Sequence, residues 1–180
     1  MILHQYKIVF GGSIGAGKST AIQTISEIDV ISTEAKNTDT STHQKSHTTV
    51  GIDYGEVTLD DGLKLGLYGT PGQQRFDFMW PMVGQGAIGT VILIDHSASN
   101  PIQDLQFYYD AFKAFSTHIV IGITHVDVVK DRDNRIYQQW MAKQDKLHPL
   151  FFIDARQKKD ILLMLETLIA KIEVKLENVG

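Results

Sequence analysis

The chain has 180 residues, 43% of them hydrophobic and 21% charged, with a net charge of −4 at neutral pH; these figures fit one globular domain with a full core, and the acidic balance argues against a nucleic-acid binder. Cysteine is absent, which excludes disulfides, thiolate metal sites, prenylation and palmitoylation. Ile2 stands where myristoylation needs glycine, Met1–Phe10 lacks a signal-peptide layout and no apolar run nears the ~20 residues that span a bilayer, so a cytoplasmic protein without a direct membrane anchor is expected.

Short β-branched runs alternate with helical stretches, the pattern of a parallel sheet covered by helices. The first strand reads Tyr6 to Phe10, followed by a glycine-rich turn and a helix with Ala21, Ile22, Ile25 and Ile28 at helical spacing. Ser32 to Thr49 holds nine Ser or Thr among eighteen residues, with Ala35 its only aliphatic. Such a stretch buries too little apolar surface to hold itself in place, so a mobile, functional loop is expected. A hairpin follows: Val50 to Leu59, a turn at Asp60-Asp61-Gly62, then Leu63 to Tyr68. Ala87 to Asp95 carries Val91-Ile92-Leu93-Ile94, a run suited to a strand buried on both faces. A helix begins near Pro101. Ile119 to Ile123 and Leu150 to Ile153 read as further strands. The closing helix has Ile161, Leu165, Leu168, Ile169, Ile172 and Leu176 on one stripe.

Gly12-Ser13-Ile14-Gly15-Ala16-Gly17-Lys18-Ser19 matches the phosphate-loop pattern G-x-x-x-x-G-K-[ST] in full, after a predicted strand and before a predicted helix. Glycines let the backbone wrap a phosphate with its N–H groups, and the helix N-terminus adds its dipole. Lys18 supplies a charge for the terminal phosphates, the Ser19 hydroxyl can ligate Mg²⁺, and Thr20 continues the same turn. Further along, Asp127 follows a strand at the carboxyl end of the sheet, where open α/β folds bind ligands. Its carboxylate could accept from both N1–H and N2–H₂ of guanine, a pair adenine does not offer.

With these segments in place the chain resembles the Ras-like small GTPases, from Lys7 to the last helix. Thr48-Thr49-Val50-Gly51-Ile52-Asp53-Tyr54 resembles the end of switch I. Gly69-Thr70-Pro71-Gly72-Gln73-Gln74-Arg75-Phe76 resembles switch II, Thr124-His125-Val126-Asp127 falls at the guanine motif Asn-Lys-x-Asp, and Asp154-Ala155-Arg156 falls at Ser-Ala-Lys. The phrase Leu67-Tyr68-Gly69-Thr70-Pro71-Gly72-Gln73, with Phe78-Met79-Trp80 after it, is similar to a bacterial branch often encoded beside Roadblock/LC7-fold proteins. The resemblance implies a three-layer P-loop fold: a mostly parallel sheet with one antiparallel strand and helices on both faces, in one G domain spanning residues 1–180. It implies a GTP/GDP switch with slow, Mg²⁺-dependent hydrolysis and protein partners at the switch regions, including a Roadblock/LC7-type regulator. It also implies roles: Thr49 on Mg²⁺ and the γ-phosphate, the Gly72 N–H on the γ-phosphate, Gln73 orienting the attacking water beside Lys18, and the Ala155 N–H on guanine O6.

The chain departs from that pattern in three places. Gly69 replaces the switch II aspartate, leaving Asp53 or Asp95 as substitutes. Thr124 and His125 replace the asparagine and lysine of the guanine motif. No arginine lies in Ser32–Thr49, so Arg75 is the nearest candidate to assist hydrolysis in cis. These departures keep a nucleotide-binding adaptor with degraded hydrolysis open, and, less favoured, a P-loop ATPase or small-molecule kinase. His43 and His47 are too isolated to make a zinc site. The cluster Phe76, Phe78, Met79 and Trp80 suits either core or a partner surface.

Overall fold

In a computed structural model, residues 5–33 and 51–177 are described. Thr49, most of the threonine-rich stretch and the His43/His47 pair lie outside the described residues. So does the side chain of Leu176.

β1 (Gln5–Gly12) enters the fold at an exposed end and is fully buried from Ile8 onward. Its side chains alternate between two cores, as the period of a strand requires. Ile8 and Phe10 face one core; Val9 faces the other. Around β1 the chain builds a seven-stranded sheet in the order β2-β3-β4-β1-β5-β6-β7. The members are β2 (Ile31–Ser32), β3 (Asp53–Thr58), β4 (Lys64–Gly69), β5 (Ala87–Asp95), β6 (Ile119–Thr124) and β7 (Leu150–Phe152). β3 runs antiparallel to both neighbours and the other pairs are parallel.

Helices cover both faces. α1 (Lys18–Ile25) and α5 (Lys158–Glu177) bury Ala21, Ile22, Ile161, Leu165 and Leu168 against one face. α2 (Trp80–Gly84), α3 (Pro101–Lys113) and α4 (Arg135–Met141) bury Trp80, Leu105, Phe112, Tyr137 and Trp140 against the other. This is the expected three-layer arrangement. Asn100 caps α3 by accepting from the Gln103 N–H at 3.2 Å, with Pro101 in the first turn. In the β3–β4 turn Gly62 has φ +87°, and the Leu63 N–H donates to Asp61 Oδ1 at 2.9 Å.

Several boundaries differ from expectation. α1 stops at Ile25 because Ser26 turns extended, and Ile28, beyond the helix, is exposed. The hairpin begins at Asp53 rather than Val50. β2, α4, α2 and the 3-10 turn Gln74–Met79 are short elements that the periodicity did not reveal. Among the described residues no helix is long and apolar enough to cross a membrane.

Candidate functional site

The carboxyl ends of the parallel strands converge on one edge. β1 ends at Gly12, whose φ is +135°; a Cβ there would meet the Leu93 carbonyl at 2.0 Å. No side chain fits, so the loop can turn only with glycine. α1 starts at Lys18, after Gly17 in the left-handed region. Lys18 is 7% exposed, and its Nζ donates to Gly12 O at 2.7 Å and Ser13 O at 2.6 Å. Burial pushes its ammonium down to about 8, with the Asp53 carboxylate acting in the opposite direction.

Asp53, the first residue of β3, is buried and accepts from two hydroxyls: Ser19 Oγ on Oδ2 and Ser32 Oγ on Oδ1. The β3–β4 register sets it opposite Gly69. A Cβ on Gly69 would lie 3.2 Å from Asp53 Cβ and 3.3 Å from its Oδ2. Asp53 therefore already fills the space that a longer residue at 69 would take. Asp95, the other candidate, is turned elsewhere: it accepts from Ser97 N at 2.8 Å and lies 3.1 Å from His125 Nδ1. Among the described residues no group of three His, Cys, Asp or Glu could hold a metal. The oxygen set of Ser19 and Asp53 nevertheless suits a hard cation such as Mg²⁺ with phosphate oxygens completing its shell.

The segment after β4 is tied down residue by residue. Thr70 N and Oγ1 both donate to Phe10 O, at 2.9 and 3.0 Å. Trp80 Nε1 donates to Pro71 O at 2.9 Å, and the Tyr108 hydroxyl to Gly72 O at 2.8 Å. Gly72 abuts the phosphate loop so closely that a Cβ would sit 2.7 Å from Ile14 N and 2.8 Å from Lys18 Nζ. Gln73 follows, lining a cavity of about 420 Å³ with Gly15, Lys18, Ser19, Asp53 and Gly72. Arg75 is exposed and lies over the Phe76 ring, 4.9 Å from its centroid. The apolar cluster splits: Trp80 is core, while Phe78 and, one turn on, Met82 are exposed.

A smaller cavity of about 180 Å³ opens beside the first and shares Gly17, Thr20 and His125 with it. Its walls bring together Thr124, Asp127, Asp154, Ala155 and Arg156, all from the ends of β6 and β7. Thr124 is buried, and its hydroxyl donates to Ala16 O at 2.9 Å, tying β6 to the phosphate loop. His125 adopts φ +58° and points its Nδ1 at Asp95. Asp127 is exposed, 3.6 Å from Arg156 Nη2. Arg156 grips Asp154 with two bonds, Nε to Oδ1 at 2.8 Å and Nη2 to Oδ2 at 2.7 Å. That guanidinium holds the Asp154 carboxyl down to about 2.

The structure thus gathers every anticipated site residue within the described range along one edge, with Thr49 outside that range. Sequence reading missed Ser32, Tyr108 and the Trp80 bond to Pro71. Trp80 was read as core or partner surface and Ser32 only as the start of the Ser/Thr-rich loop, so neither pointed to these bonds.

A family model described as "Conserved hypothetical ATP binding protein" matches residues 28–174. The chain belongs to this family. The match to that family starts beyond the phosphate loop and takes in Asp53, the switch II-like segment and both walls of the smaller cavity. Curated proteins also align over most of the chain. The Ras-related protein Rab-18 of Lymnaea stagnalis is 25% identical over 177 residues, 95% of this chain and 82% of its own length. The uncharacterized protein MJ1339 of Methanocaldococcus jannaschii is 34% identical over 93 residues, 52% of this chain and 53% of its own. Among solved structures, the G domain of the T. maritima FeoB iron transporter superposes with a TM-score of 0.66 at 16% identity, covering 94% of this chain and 99% of that domain. The fold is that of a P-loop GTPase domain, and the chain is similar to Ras-related proteins along nearly its whole length.

Proposed function

We propose that this chain is a GTP/GDP-binding switch, one G domain that hydrolyses GTP slowly with Mg²⁺ and exchanges protein partners between its two states. The observation that carries the reading is the pair of joined cavities. One is lined by Lys18 and the loop that leads into it, the other by Asp127 and Ala155, and they meet at Gly17, Thr20 and His125. A nucleotide laid across them has its phosphates on the amides of residues 12–19 and its base against Asp127.

In this reading Ser19 and Asp53 hold the Mg²⁺ side of the phosphates, with Thr49 joining them when a γ-phosphate is present. The ion, when bound, neutralises charge on the phosphate oxygens. Asp53 replaces the carboxylate missing at Gly69. The Gly72 N–H faces the γ-phosphate, its carbonyl held away by Tyr108, and Gln73 orients a water. Lys18 is the only lysine or arginine among the described residues lining the phosphate cavity. Arg75 is engaged with Phe76, so unassisted hydrolysis is slow and a partner speeds it. The exposed Phe78 and Met82 beside this segment form the surface such a partner covers, and the bacterial resemblance suggests a Roadblock/LC7-type protein.

A second reading, an ATP-binding protein, is favoured by the description of the matched family and by Thr124, whose hydroxyl is engaged with Ala16 rather than turned to a base. Identifying the nucleotide that copurifies, then titrating GDP and ADP into stripped protein, separates the two. Tighter GDP binding, with single-turnover GTP hydrolysis that depends on Gln73, supports the switch; tighter ADP binding refutes it.

A further inference from the structure

An acidic base reader discriminates because the wrong base covers the carboxylate and leaves it unpaired. The penalty depends on whether any other donor is within reach. Beside Asp127 there is one. Arg156 Nη2 carries two hydrogens, and its bond to Asp154 Oδ2 at 2.7 Å uses the first. The same nitrogen lies 3.6 Å from Asp127 Oδ2, close enough for its second hydrogen to close on that oxygen with a small side-chain adjustment. The guanidinium cannot swing away freely, because Nε is also bonded to Asp154, at 2.8 Å. Asp154 stays ionised throughout the neutral range, so the anchor persists there.

We propose that Arg156, positioned by Asp154, is a specificity-determining residue that narrows the preference for guanine over adenine by giving Asp127 a partner when the base supplies none. The inference rests on the placement of the base in the smaller cavity proposed above. With guanine bound, both oxygens of Asp127 are occupied by the base and Arg156 is redundant. With adenine bound, Arg156 takes over the orphaned carboxylate. Arg156 therefore protects adenine binding selectively. Both side chains are 68% exposed, so water competes and the effect is modest: removing Arg156 should change the preference by about three- to tenfold.

The test uses the full chain stripped of nucleotide and titrated with fluorescent GDP and ADP analogues. In wild type the ratio of the ADP to the GDP dissociation constant sets the baseline. Arg156→Ala is expected to raise that ratio about three- to tenfold, mainly by weakening ADP. Asp154→Asn should raise it by less, since the guanidinium survives but loses its anchor. Arg156→Lys should fall between, because an ammonium lacks the planar fork. If wild type binds both nucleotides and Arg156→Ala leaves the ratio unchanged, lowers it, or weakens GDP as much as ADP, the role of Arg156 is overturned while the site stands. If wild type binds neither nucleotide, the base placement and this inference both fail.

Discussion

Lys18 makes the phosphate cradle costly to keep empty, and the cost has a pH signature. The residue is 7% exposed, and burial pushes its ammonium down to about 8 from 10.5. A lysine depressed in the folded state destabilises the fold wherever it is charged. The penalty is complete below pH 8 and is relieved as the pH rises from about 8 to 10.5. At about 1.4 kcal/mol per unit, the whole effect is about 3.5 kcal/mol. Lys18→Met keeps much of the stem and removes the titration. It also takes a donor from Gly12 O and Ser13 O, at about 1 kcal/mol each, because the open cavity admits water. Near pH 7.5 the nucleotide-free variant should therefore be more stable than wild type by about 1 kcal/mol. Urea unfolding of both proteins at pH 7.5, 8.5 and 9.5 to 10 isolates the lysine, since other titrating groups contribute to each and cancel. Wild type should gain on the variant by about 2 kcal/mol between pH 8 and 10. A difference that stays constant over that range refutes the reasoning. Saturating nucleotide should reverse the order at pH 7.5, because phosphates replace the missing counter-charge.

Three further outcomes are expected. Asp53→Ala should weaken Mg²⁺-dependent nucleotide retention about tenfold or more, while Asp95→Ala leaves it unchanged; the Mg²⁺ concentration that halves the nucleotide off-rate reads both, and equal behaviour of the two variants counts against Asp53. Gly72→Ala drives a methyl onto Ile14 N and Lys18 Nζ, so affinity for a non-hydrolysable triphosphate should fall more than affinity for the diphosphate, as measured by competition binding. Asp127→Asn should move preference from guanine toward xanthine, and unchanged guanine selectivity removes Asp127 from the base site.

The sheet was legible wherever burial is two-sided. Val91 to Ile94 are each 0% exposed, and an aliphatic run of that kind leaves little but a central strand. α4 was not legible because its seven residues bury only Tyr137 and Trp140, too few to show a helical period. β2 is two exposed residues held by β3, and nothing in Ile31-Ser32 alone foretells that pairing. Spacing alone places Ile28 on α1, but it cannot register that Ser26 leaves the helix and turns its hydroxyl toward the Ile28 carbonyl. The phosphate loop was legible because a glycine turn closes within its own residues. The support behind it was not: Tyr108 reaches Gly72 from 36 residues away and Trp80 reaches Pro71 from nine, and a linear reading cannot tell which carbonyl either donor will meet.

Gly69 shows what a position-by-position reading leaves out. Along the chain, a glycine in place of an acid removes a carboxylate from the switch II-like segment. Across the sheet, Gly69 is the last residue of β4 and Asp53 the first of β3, and their antiparallel register makes them one rung. A side chain on 69 would press on Asp53 Cβ and Ile22 Cδ1, at 3.2 and 3.1 Å. The rung is therefore tight for a second side chain beside Asp53. With Asp53 present, glycine at 69 is the residue that lets the acid sit beneath Ser19, and the two positions have to be read as one unit. In the proposed nucleotide site, the carboxylate beside Lys18 and Ser19 comes from β3, at Asp53, and not from β4.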